Sequence, residues 1–140
     1  LSKDIDTLIS FSCIDWNTDF EDSLKKILEF CLSKNCDFIF TFRASKYGID
    51  DINKSYQFVN FEGEKSGEIA NYVVLSFEKI KEIIRILSPE NIHLKAYKGT
   101  PSSVAVTPYN EIVFGCIWLQ NVNQSKPSNI EGEYPLELFS

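Results

Sequence analysis

Phe20, Leu24, Ile27, Leu28, Cys31 and Leu32 recur at helical spacing, with Lys25, Lys26, Glu29 and Lys34 on the other faces. That is one unbroken apolar stripe over about four turns of helix. Thr18-Asp19-Phe20-Glu21 reads as a capping box, Thr18 at the N-cap and Glu21 at N3, and Asn35 is a suitable C-terminal stop. A stripe this long cannot stand in water and needs a facing apolar surface. The rest of the chain supplies one with the period of strands.

Residues 8–14 alternate Ile9, Phe11 and Cys13 with Ser10 and Ser12, so the first three are expected on a buried face. From Cys36 to Phe42, Phe38, Phe40 and Phe42 share one side. A polar loop is expected over 44–54, a short strand over 56–61 closed by Glu62-Gly63-Glu64-Lys65-Ser66-Gly67, and another strand over 71–75. Ser76 can cap a second helix carrying Phe77, Ile80, Ile83, Ile84 and Leu87, which stops at Ser88-Pro89. Ile92 to Tyr97 alternates again, and Lys98-Gly99-Thr100-Pro101 turns the chain. Residues 111–119 are apolar on both faces, as in a central strand.

The order β-α-β-β-β-α-β-β implies an α+β fold in a single domain over 1–120, followed by a partly irregular C-terminal tail over 121–140. A mixed or mainly antiparallel sheet with both helices on one face satisfies the two stripes. The length of 140 residues suits one core. A net charge of -6 argues against nucleic acid and anionic membrane as partners, since phosphates call for a basic face. No apolar run is long enough to span a bilayer as a helix. Leu1-Ser2-Lys3-Asp4 lacks the order of a signal peptide, and the four cysteines, read as reduced thiols, lead to the expectation of a cytoplasmic location. With no methionine anywhere, the front of the chain is expected to have lost one or more residues, which a removed export signal would equally explain.

Cys13, Cys31, Cys36 and Cys116 each sit in an apolar run and are expected as reduced, buried thiols. Their spacing does not suit zinc, and no cofactor or metal is expected. A nucleophilic cysteine would have to meet His93 from an apolar setting that leaves a thiol inert. Asp19, Glu21 and Asp22 favour the first helical turn, and the calcium-loop order is missing around Asp50-Asp51. Gly99-Thr100-Pro101-Ser102-Ser103 lacks the residues of a phosphate loop. No catalytic residue is assigned.

Two groups of residues remain as candidate sites. His93, Lys95 and Tyr97 project from one strand face, either as an acid–base or anion-binding trio or as the polar outside of an edge strand. Acidic and aromatic residues also share expected loops, in Asp15-Trp16-Asn17-Thr18-Asp19 and Tyr47-Gly48-Ile49-Asp50-Asp51. Such segments make either protein-binding surfaces or loop packing.

On these two segments, the acidic charge and the α+β pattern, the chain resembles the small, acidic, cytoplasmic immunity proteins of bacterial toxin–immunity pairs of the contact-dependent inhibition type. The excess of Lys over Arg is in keeping with a low-GC bacterial source. The resemblance implies binding of a cognate toxin domain, often a basic nuclease, and occlusion of its active site or substrate groove. Asp15, Asp19, Asp22, Asp50 and Asp51 would supply charge and Trp16 and Tyr47 the anchors. The alternatives are a small-ligand sensor whose aromatic side chains line a concave sheet face, and thirdly an enzyme using His93.

Overall fold

The computed structural model describes residues 6–17, 19–48, 54–124 and 129–140. Among them the first helix, α1, runs Phe20–Lys34 and buries Phe20, Leu24, Leu28 and Cys31. It ends where Asn35 turns left-handed at φ 50. Its N-cap is Asp19, whose backbone N–H donates to Asn17 Oδ1 at 2.9 Å. Thr18, expected at that cap, lies outside the described residues. The second helix, α2, spans Phe77–Leu87, is capped by Ser76 Oγ accepting from the Lys79 N–H at 3.0 Å, and buries Phe77, Ile80, Ile83 and Leu87.

Both helices cover one face of a six-stranded mixed sheet. Its strands are β1 (Thr7–Ser10), β2 (Asp37–Ser45), β5 (Leu75–Ser76), β6 (Asn91–Gly99), β8 (Ile112–Gln120) and β9 (Asn129–Glu133). The order is β1-β2-β8-β6-β9, with β5 beside the far end of β2. Pairing is parallel for β1 with β2, β2 with β5 and β6 with β9, and antiparallel on both sides of β8. Phe38 and Phe40 stack at 4.7 Å on the helix side, with Ile92, Leu94, Ile117 and Leu119 beside them. Burying each such side chain contributes about 1.5–3 kcal/mol.

The intervening chain makes a second, antiparallel sheet of β4 (Ile69–Tyr72), β3 (Ser55–Phe58) and β7 (Ala105–Val106). The single strand expected over 71–75 is therefore two. Its first part pairs with β3, and after Val73-Val74 its second part returns to the main sheet. Tyr72, Val74, Ala105 and Ile112 form a small separate core against Trp16, Tyr109 and Phe114.

One expectation is corrected here. In β1 the buried residue is Ser10, while Ile9 and Phe11 are 56% and 52% exposed and Cys13 is also exposed. An edge strand pairing in parallel with β2 places Leu8 and Ser10 level with Phe38 and Phe40 on the helix side, so the larger alternate residues face outward. The described residues of the C-terminal segment dock onto the body. Asn123 and Gln124 donate backbone bonds to Leu87 and Ser88, β9 joins β6, and Leu138 is fully buried in the main core.

Candidate functional site

The helices leave the other face of the main sheet open, except at its Arg43–Phe114 end, where Trp16 and Tyr72 pack over Arg43 and the small second core meets Phe114. Register places Ile9, Ile39, Trp118, His93 and Glu131 in one row across it, and Thr41, Cys116, Lys95 and Glu133 in the next. A third row holds Arg43, Phe114 and Tyr97. The face thus runs from apolar at β1 to ionic at β9.

His93, Lys95 and Tyr97 do share this face, but β9 pairs with β6 as far as Lys95, so the edge-strand reading is corrected for His93 and Lys95. The His93 ring tilts over Trp118 at 4.9 Å. Its Nε2 lies 3.2 Å from Gln120 Oε1, and its Nδ1 lies 3.6 Å from Glu131 Oε2. Asp37 accepts from Trp118 Nε1–H and from the Asn121 N–H, both at 2.9 Å, which fixes the indole. Cys116 lies two residues along β8 from Trp118, yet burial pushes its thiol pKa up, away from the nucleophilic thiolate. The imidazole is packed and hydrogen-bonded rather than coupled to an activated nucleophile.

Of the residues expected on the acidic–aromatic surface, Asp15 is corrected by its burial, while Asp19, Asp22 and Tyr47 are exposed. Asp15 sits in a short 3-10 turn, Ile14–Trp16, and its side chain is 3% exposed. One of its oxygens is ion-paired with Arg43 Nη1, and the Arg43 guanidinium lies over the rings of both Trp16 and Tyr72, which also pack on each other at 5.3 Å. Burial raises the Asp15 pKa above the usual aspartate range, against the opposing pull of Arg43. Asp15 is therefore an internal carboxyl, withdrawn from the surface, and Trp16 is half-buried against Tyr72. Asp19 and Asp22 are exposed at the start of α1, where Asp22 pairs with Lys26 at 2.6 Å. Tyr47 is exposed just beyond β2, with Lys46 over its ring. Asp50 and Asp51 lie outside the described residues.

A different segment carries exposed carboxylates around an exposed ring. Between β3 and β4 the chain turns through residues 59–68, and Phe61 at the turn is fully exposed. Val59 and Ile69 are more than half exposed, and Glu62, Glu64 and Glu68 are exposed beside them. Asn60 fixes the turn: its Nδ2 donates to the carbonyls of Glu64 at 2.7 Å and Ser66 at 2.8 Å, and its Oδ1 accepts from the Glu64 N–H at 3.1 Å. The Val59 N–H donates to the Glu68 carbonyl at 2.9 Å. In the sequence, Glu62 to Gly67 reads as the close of a strand. The missed signal is a large apolar residue immediately before a polar, glycine-bearing run, where no neighbouring strand can bury it.

Among the described residues no group of three or more His, Cys, Asp or Glu side chains is arranged to hold a metal ion. No helix among them is long and apolar enough to cross a membrane. The chain matches no known protein family and no curated protein.

Proposed function

We propose that this chain is a protein-binding domain of the immunity type, which neutralises a basic, nuclease-like toxin domain by docking the hairpin turn at 59–68 against it. The observation that supports this reading is Phe61, a fully exposed ring on a turn pinned by Asn60 and flanked by Glu62, Glu64 and Glu68. Exposed aromatic side chains on rigid segments make good anchors, because little side-chain freedom is lost when they are buried. Carboxylates around the anchor attract a cationic surface, speed encounter and can stand in for substrate phosphates. The chemistry is the same as that expected for Asp15, Asp19, Asp22, Asp50 and Asp51 with Trp16 and Tyr47, and this proposal assigns it to residues 59–68.

The test is capture of the partner by tagged protein from cells of its source, washed at low and high salt, for wild type, Phe61→Ser and Glu62→Lys/Glu64→Lys. A single basic protein is expected, weakened by salt and by the charge reversal, and lost with Phe61→Ser. Capture that ignores salt and both variants would refute the assignment to this turn.

A further inference from the structure

At the Arg43–Phe114–Tyr97 end of the sheet face opposite the helices is an open hollow of about 350 Å³. Its lining includes Thr41, Arg43, Lys95, Tyr97, Phe114 and Cys116. We propose that this hollow binds a small aromatic carboxylate, its ring against Tyr97 and Phe114 and its anion at Lys95. The inference is independent of the hairpin and its partner.

The aromatic wall comes first. Tyr97 and Phe114 are cross-strand neighbours, stacked with ring centroids 5.7 Å apart and planes within 24°. Tyr97 is 65% exposed, so a flat surface is open to a second ring. Offset stacking on such a surface adds about 0.5–1.5 kcal/mol beyond area burial. The volume is within the range of small-molecule sites, roughly 300–1,000 Å³, and a mostly apolar lining with a few polar groups is their usual composition.

The charge comes second. In a chain of net charge -6, Arg43 and Lys95 both line this hollow, while its one carboxylate, Asp15, is buried and already paired with Arg43. Lys95 is exposed, and no ion pair holds its ammonium group among the described residues. Glu133 on β9 is level with Lys95, and His93 and Glu131 occupy the next row, with Glu131 turned to His93. Arg43 is matched by Asp15, so Lys95, with Glu133 level with it on β9, is the cation at this end of the face that is left to receive an anion. Burial keeps the Cys116 thiol protonated, so it adds no opposing charge.

A third observation concerns Asp15 itself. Its second oxygen, Oδ1, is buried with no hydrogen-bond partner, although Asp15 belongs to the lining. Buried polar groups of native proteins are seldom left unpaired. A hydroxyl-bearing ligand would supply a donor on this side of the hollow, with a small movement of Arg43. Thr41 Oγ1 is engaged by the Ser12 N–H at 2.6 Å, which holds the neighbouring wall in place.

The probes are 4-hydroxyphenylacetate and its neutral amide, titrated into the whole protein by calorimetry and by amide chemical-shift mapping. The acid is expected to bind one to one and about tenfold more tightly than the amide, the worth of one charge-assisted hydrogen bond. Lys95→Gln should bring the acid down to the level of the amide, and Tyr97→Ala should weaken both. Shifts should centre on residues 41–43, 95–97 and 114–116. The proposal is overturned if the acid does not bind at millimolar concentration, if acid and amide bind equally to wild type, if Lys95→Gln changes nothing, or if the shifts lie elsewhere. Both substituted residues are exposed, so the variants retain the fold.

Discussion

Asp15 holds Arg43 through one carboxylate oxygen, and the guanidinium so held is stacked 4.7 Å from the ring centre of Trp16 and 4.9 Å from that of Tyr72. This links three parts of the chain: the 3-10 turn before α1, the middle of the main sheet and the end of β4. The Val73 N–H donating to the Asp15 carbonyl at 2.7 Å ties the same turn to the chain after β4. Removing one partner of a buried pair strands the other charge, at a cost of about 3–5 kcal/mol. Asp15→Ala should approach that loss in urea unfolding. An Asp15→Ala/Arg43→Leu double variant should recover part of it.

The same carboxyl predicts a pH dependence. Burial raises its pKa in the folded state, so the fold holds this proton more tightly than the unfolded chain does. Its contribution is therefore fully present below the ordinary aspartate value and is lost as pH rises through the raised one. Asp15→Asn cannot titrate. Relative to that variant, wild type should gain stability as pH falls from about 7 to about 4. Urea unfolding at the two pH values checks the sign, and a gap that moves the other way would contradict it.

The integration of the C-terminal segment rests on two positions. Gly132 has φ +133, and a Cβ there would fall 1.8 Å from the Leu94 carbonyl oxygen. Leu138 is fully buried in the main core. Leu138→Ala should cost about 2–5 kcal/mol. Gly132→Ala should cost about 1–3 kcal/mol and speed amide exchange in β6 and β9. Wild-type stability in both variants would mean that the fold does not depend on β9 and the segment that follows it.

The cysteines should divide by location. Cys13 is exposed, whereas Cys31 and Cys36 are buried together and the Cys31 thiol is pushed up to about 12, first by burial and then by Cys36. With an aromatic disulfide reagent at neutral pH, Cys13 should react within minutes. Cys31 and Cys36 should react only when the chain unfolds. Rapid labelling of all four thiols in the folded protein would contradict this packing.

Where the sequence was legible, two cues agreed. The α1 stripe and the Asn35 stop mark a helix by periodicity and by backbone preference together, and Phe38, Phe40 and Phe42 face the core as their alternation implies. The same alternation misled in β1, because period two identifies two faces without saying which is covered. Ile9 and Phe11 look outward since the helices lie on the side of Ser10. The tail was obscured by its polarity: β9 reads Asn-Ile-Glu-Gly-Glu, an edge strand whose place depends on Gly132 lying close to Leu94. For the candidate site, the common face of His93, Lys95 and Tyr97 followed from spacing. The burial of Asp15 did not, because its partner Arg43 is 28 residues away and only the fold brings them together.

The most direct test of the proposed function is to place a photo-crosslinking phenylalanine analogue at position 61 in cells of the protein's source, with the same analogue at the half-buried Phe30 on α1 as control. A single covalent adduct with a basic protein, formed from position 61 and not from position 30, and diminished by high salt before irradiation, is the expected result. No adduct from position 61, or equal adducts from both positions, would contradict a partner docked on the 59–68 turn.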